Sequence, residues 1–145
     1  MIEKQYLKPD DMRVRIENGV LLYTPIVTVD GSDHAHIFLA GQIPVKPDGT
    51  LIGENDMRTQ IRATCENVGK GLRHAGAGFD DVVKSTTYVT NLDLYLKHSD
   101  ERYDFFENNR PPNTLIEISR LAIEKAMIEI TVEAIIDPKN LKRYS

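Results

Sequence analysis

The sequence predicts an α+β domain: one mixed sheet of about six strands with two helices packed on one of its faces. Three observations carry this. Strand-type alternation dominates the chain before residue 50 and after residue 113, a long stretch from Asp56 switches to helical period, and a second helical stretch follows a run of β-branched residues. With 145 residues, no internal repeat and no low-complexity linker, one domain accounts for the whole sequence.

The elements follow in order. Residues 13–17 and 20–23 alternate on either side of Asn18-Gly19, the strongest two-residue hairpin signal, and predict a β-hairpin extension over 13–23. A strand at 26–29, a Gly-Ser-Asp turn at 31–33 and a strand through 37–40 come next, and Pro47-Asp48-Gly49 marks a tight turn. Met57, Ile61, Cys65, Val68, Leu72 and Ala75 form one apolar stripe on a helix that Gly76 stops. Residues 82–90 suit a strand. Asn91 or Asp93 can cap a second helix running to about Asn108, where Pro111-Pro112 ends it. Strands at 113–119 and 127–136 complete the core, and the polar tail, 137–145, is expected to be loosely held. Two helices cover only one face of such a sheet. The other face carries Val, Ile and Thr in places, so a closed cyclic assembly is expected to bury part of it.

Composition excludes several function classes. Hydrophobic residues make up 41% and charged residues 28%, and no apolar run is long enough to cross a bilayer. Charges near Met1 leave no apolar core for a secretory signal, and a single cysteine, Cys65, suits a reducing compartment, so a cytoplasmic location is expected. A net charge of −4 with scattered Lys and Arg argues against nucleic acid as a partner. His34 and His36 flank Ala35 at strand spacing but have no third ligand nearby, so no metal is expected. Cys65 on the apolar stripe reads as a core residue, and Tyr103, Phe105 and Phe106 read as packing residues. No phosphate loop, nucleophile elbow or zinc motif is present.

Several blocks together resemble the RidA (YjgF/UK114) family. They are Gly41-Gln42-Ile43-Pro44-Val45 before the Pro-Asp-Gly turn, the helix with Gln60 and Glu66-Asn67-Val68, residues 75–84, Thr87-Tyr88-Val89-Thr90, Tyr103-Asp104-Phe105-Phe106 and residues 112–121, spanning about 23–136. The resemblance implies a chorismate-mutase-like subunit and a homotrimer with small-molecule clefts between copies. It also implies cofactor-free hydrolysis of reactive enamines or imines such as 2-aminoacrylate or 2-aminomuconate. On the matching positions it places the cleft tyrosine at Tyr23, the ligand-facing glycine at Gly41 and the water-orienting acid at Glu129, or Glu133 if the last strand slips. The helical asparagine of the family corresponds to Asp100. Deaminating members carry a carboxylate-binding arginine in a Pro-Ala-Arg-Ser context, where this chain reads Pro111-Pro112-Asn113-Thr114, and the cleft cysteine is replaced by Leu115.

Imine hydrolysis needs a proton on nitrogen, a directed water and support for the tetrahedral intermediate. Alternation puts Glu129, Thr131 and Glu133 on one face of the last strand, where desolvation would raise the pKa of a cleft carboxyl. Asn113 replaces a charge-assisted, bidentate contact with a neutral amide, which weakens carboxylate binding by about tenfold or more. Arg110 or Arg120 is available to restore the charge. Two readings follow: a hydrolytic deaminase with Glu129 and Asn113 as catalytic residues and Tyr23, Gly41, Thr114 and Leu115 around the substrate, or a non-catalytic trimer that binds a metabolite or regulates another protein. Nuclease activity has little support in an acidic chain. The cleft joins Asn113 of one copy to Tyr23 of a neighbour or of the same copy.

Overall fold

The computed structural model describes residues 2–144. Six strands form one mixed sheet in the order β1-β4-β5-β8-β6-β7, with β1 Glu3–Leu7, β4 Ile26–Asp30, β5 Ala35–Leu39, β6 Val82–Val89, β7 Asn113–Glu117 and β8 Ile128–Ile136. Only the β6–β7 pair is parallel. β2 Ile16–Glu17 and β3 Val20–Leu21 make a separate two-stranded ribbon, with Asn18 and Gly19 at φ 52° and 77° in its turn. The expected count of six strands therefore stands, but the hairpin is not part of the sheet and an unexpected β1 is.

β8 organises the sheet. Ile128, Ile130, Val132, Ala134 and Ile136 are buried on one face, while Glu129, Thr131 and Glu133 alternate onto the other. Helix α1, Met57–Ala75, lies on the apolar face with Ile61, Cys65, Val68 and Leu72 in the core. Asp56 caps its start by accepting from the Thr59 amide at 3.1 Å. Burial pushes the Cys65 thiol up to about 12, so it is an inert packing group.

Two α1 amides hold loops at the sheet margin. Gln60, fully buried, donates to the carbonyls of Gly53 and Lys125 (both 3.1 Å) and accepts from the Met127 amide at 2.7 Å. Asn67 donates to the carbonyls of Ile43 and Val45 at 2.9 and 3.0 Å. Each satisfies backbone groups that would otherwise be costly to bury.

The second helix is shorter than its sequence pattern suggests. α2 covers Leu92–His98, a 3-10 turn covers Ser99–Arg102, and the chain then leaves helical geometry. Two local forces explain the break. Arg58 and Arg62 of α1 pull Asp100, Glu101 and Asp104 into one ion network. Phe105 and Phe106 both pack on Phe79, at 5.5 and 4.9 Å between ring centres, whereas adjacent residues of a continuous helix diverge by roughly 100°.

The tail also departs from expectation, because it is docked. Leu141 is buried, the Lys142 amide donates to the Ala75 carbonyl at 3.1 Å, and the Tyr144 hydroxyl donates to the His74 carbonyl at 2.7 Å. These are the open carbonyls at the end of α1. Gln5 of β1 bonds Thr28, the Lys142 carbonyl and the Tyr144 amide, which ties the tail to the sheet edge.

Gly76 makes this closure possible. It caps α1 at φ +95°, and a methyl group there would come within 2.1 Å of the Asn140 carbonyl oxygen. Gly76→Ala is expected to cost about 3 kcal/mol, from roughly 1–2 kcal/mol of left-handed strain and about 1–3 kcal/mol of displacement. Gly78→Ala, with open space around it, is expected to stay within about 0.5 kcal/mol. Urea denaturation of the two variants checks the difference.

Candidate active site

Three of the expected site residues meet on the outer face of the sheet. Tyr23, Gly41 and Glu129 border one cavity of about 220 Å³, with Gln42, Ile43, Ala122 and Ile123 completing its wall and Arg13 and Arg15 entering from the N-terminal segment. Glu129 is placed by β8, and Gly41 follows β5 on a loop fixed at both ends. The Gln42 and Ile130 amides exchange hydrogen bonds at 2.8 and 2.9 Å, and Asn67 holds the carbonyls of Ile43 and Val45.

This loop lies directly on the carboxylate. A methyl group at Gly41 would be 2.6 Å from Glu129 Oε1 and 3.0 Å from Thr131 Oγ1, so any side chain there would push the carboxylate away from the loop. Burial holds the Glu129 carboxyl above the ordinary glutamate value, and no cation is among its causes. The Tyr23 phenol is raised too, first by burial and further by Glu129, against the opposing charges of Arg13 and Arg15. The cavity thus offers a carboxyl that burial holds above the ordinary glutamate value and a phenol that remains protonated at neutral pH.

Glu133 does not share this cavity. Its carboxylate is 3.1 Å from His36 Nε2 and 3.7 Å from Lys84 Nζ, so the two glutamates of β8 have different environments. His36 is thereby engaged with a carboxylate, and the exposed His34 pairs with Asp33 at 2.7 Å. Asp100 belongs to the α1 ion network, where Arg58 grips both of its oxygens at 2.9 Å and holds its carboxyl below the ordinary aspartate value. It does not border the cavity.

Asn113 lies on the opposite face of the sheet from Glu129. In the parallel β6–β7 register it stands beside Ser85, whose partner in β8 is the inward-facing Val132. The same-copy pairing of Asn113 with Tyr23 is therefore corrected: within one chain they do not border a common cavity. Leu115 shares the inner face with Asn113 and packs against the core, while Thr114 alternates outward beside Thr86.

The amide oxygen of Asn113 is already engaged. It accepts from Ser85 Oγ at 2.8 Å, from Thr87 Oγ1 at 2.9 Å and from Arg102 Nη2 at 3.5 Å. Arg102 also donates to Thr87, Ser85 and Tyr95 and lies 5.1 Å over the Phe106 ring. The cation beside Asn113 is thus Arg102, not Arg110, which sits over Tyr103, nor the exposed Arg120. Sequence reasoning missed Arg102 because its pattern there indicated a continuing helix. It also missed Arg13, Arg15 and Gln42, for which only the tertiary fold provides a signal.

Comparison with known proteins agrees with this architecture. The family described as Endoribonuclease L-PSP matches residues 23–136. A RutC family protein of Pyrococcus abyssi is 36% identical over 85 residues, 59% of this chain and 67% of that protein. TdcF of Escherichia coli K12, provisionally named a reactive intermediate deaminase, is 28% identical over 102 residues, covering 68% and 76%. Among solved structures, the Rid family protein YyfA of Yersinia pestis, of unknown function, superposes with a TM-score of 0.77 at 29% identity, covering 91% of this chain and 98% of that one. On the matched residues, the shared sheet and the helices laid on it, this chain belongs to the RidA (YjgF/UK114) family.

Proposed function

We propose that the protein is a hydrolytic deaminase of small reactive imines or enamines, working without a cofactor in clefts between the copies of a homotrimer. The observation that carries this reading is the contact of Glu129 with Gly41 beside Tyr23, where a desolvated carboxyl faces a cavity of substrate size. Family membership and the resemblance to TdcF support the reaction class.

In the proposed reaction, Glu129 accepts a proton from water as the water oxygen bonds to the carbon of the N-protonated imine, which gives a neutral carbinolamine. Glu129 returns that proton to the carbinolamine nitrogen, the C–N bond breaks as the hydroxyl proton passes back to the Glu129 carboxylate, and ammonia and a carbonyl compound leave. An enamine enters the same route as the iminium that forms when solvent protonates its carbon. The Gly41 amide, which makes no hydrogen bond among the described residues, and the Tyr23 hydroxyl are donors beside Glu129 that the substrate can use.

Two features support the assembly. Phe38, Ile116 and Ile135 are each 39% exposed, an apolar surface that a neighbouring copy would cover. Asn113 and Arg102 face away from Glu129, so a cleft containing all three takes them from two copies. Among the described residues no helix is long and apolar enough to cross a membrane, and the single buried thiol suits a reducing cytoplasm. The neutral Asn113 favours one second reading, a trimer that binds a metabolite without turning it over.

Ammonia release from a panel containing 2-aminoacrylate, 2-aminomuconate and neutral imines is the decisive assay. Turnover that falls by at least a hundredfold in Glu129→Gln supports the enzyme; a flat panel with retained ligand binding supports the second reading. Light scattering is expected to give the mass of three chains at micromolar concentration, and a monomer would remove the interface cleft.

The raised carboxyl makes a pH prediction with a definite sign. Because folding raises the pKa of Glu129 above its ordinary value of 4.5, the native state holds this proton to higher pH than the unfolded chain does. Its contribution to stability is present below pH 4.5 and is lost as pH rises through the folded value. Glu129→Gln is therefore expected to be more stable than the native protein at pH 7 and to lose that advantage below pH 4.5, as read by chemical denaturation. In the native enzyme, kcat/KM should fall with acid at an apparent pKa above 4.5.

A further inference from the structure

The cavity around Glu129 is completed by a segment that the family match does not include. Residues 23–136 are matched, yet Arg13 and Arg15 border the cavity. We propose that Arg13, carried by this N-terminal segment, is the specificity residue that binds a carboxylate on the substrate while the reacting carbon lies at Glu129. The inference rests on the catalytic reading of the same cavity.

The segment is firmly placed. Met12 is buried in the core, and a methyl group at Gly71 would meet its Cε at 3.1 Å. Asp11 accepts from Lys70 through its carbonyl and pairs with His74 through its side chain, both at 2.8 Å. Arg13 is thus anchored by its two preceding neighbours.

The two arginines differ in how they are engaged. Arg15 pairs with Glu17 at 2.9 Å and donates to the Ala122 carbonyl at 3.2 Å, which closes the hairpin against the cavity wall. Arg13 makes no hydrogen bond and no ion pair among the described residues. Its guanidinium rests on the Pro47-Asp48-Gly49 turn, where a methyl group at Gly49 would lie 3.1 Å from Cζ and 3.3 Å from Nη2. Asp48 feels its charge from beyond ion-pair distance. Packing, not a carboxylate, positions this cation.

A half-buried guanidinium without an acid partner, across a small cavity from a desolvated carboxyl that does not pair with it, makes a receptor with one cationic end. At roughly 30 Å³ per water-sized group, 220 Å³ holds about seven such groups. That is room for a short carboxylated imine. Arg102 is the rival cation, but its donors are directed at four neutral oxygens: Thr87, Tyr95, Ser85 and Asn113.

The test combines binding with turnover. Calorimetric titration with pyruvate and with its neutral amide is carried out on the native protein, Arg13→Gln, Arg13→Lys and Arg102→Gln. Arg13→Gln is expected to weaken pyruvate by about tenfold or more and leave the amide within twofold, with partial recovery in Arg13→Lys. On 2-aminoacrylate the same variant should raise KM with little change in kcat. Equal loss for both ligands, unchanged pyruvate binding, loss in Arg102→Gln instead, or no pyruvate binding by the native protein would each overturn the assignment. Failure of the native protein to release ammonia while pyruvate binding depends on Arg13 would reject the catalytic reading and leave Arg13 as the carboxylate-binding group of a non-catalytic site.

Discussion

The alternation of β8 between β5 and β6 is the constraint on which the rest depends. Its apolar positions supply the floor on which α1 packs, and Glu129, Thr131 and Glu133 between them supply the polar part of the outer face. A slip of one residue would send Glu129 into the core and Ile130 to the surface, so the force that buries the hydrophobic side also aims the carboxyl. The folding register and the chemical site are fixed by the same hydrogen bonds to β5 and β6.

Onto this frame α1 adds positional control by polar means. Asn67 and Gln60 lie on a helix whose buried stripe is mostly apolar, and their amides meet loop carbonyls that no backbone partner would satisfy. The loop with Gly41 therefore rests on Glu129 at a fixed separation. Of the two glutamates on this face of β8, Glu133 is paired with His36 and Lys84, while Glu129 is desolvated beside the cavity and its carboxyl is raised.

Much of this was legible in the sequence wherever local periodicity and burial agree. The stripe of α1, its glycine stop, the Asn18-Gly19 turn and the faces of β8 follow from local spacing, and the resemblance placed Tyr23, Gly41 and Glu129 on matching positions that the fold brings together. β1 was illegible because Glu3, Lys4 and Gln5 carry no apolar alternation; the strand is held by pairing with β4 and by the Gln5 amide. The early end of α2 depends on arginines some forty residues away in α1. The surroundings of Asn113 and the entry of Arg13 are likewise long-range: no local pattern shows that the carboxamide oxygen meets two hydroxyls and a guanidinium, or that the segment before the hairpin folds back over the sheet.

The bond from Gln5 to the Lys142 carbonyl joins groups 137 residues apart in sequence. Closing so large a loop has an entropic cost that only completed packing offsets. During synthesis, then, the first strand would emerge long before its seal exists, and the far end of α1 would keep its carbonyls in water until the tail arrives. The sheet margin at β1 should accordingly be the last part of the subunit to acquire protection from solvent exchange, and the first to lose it.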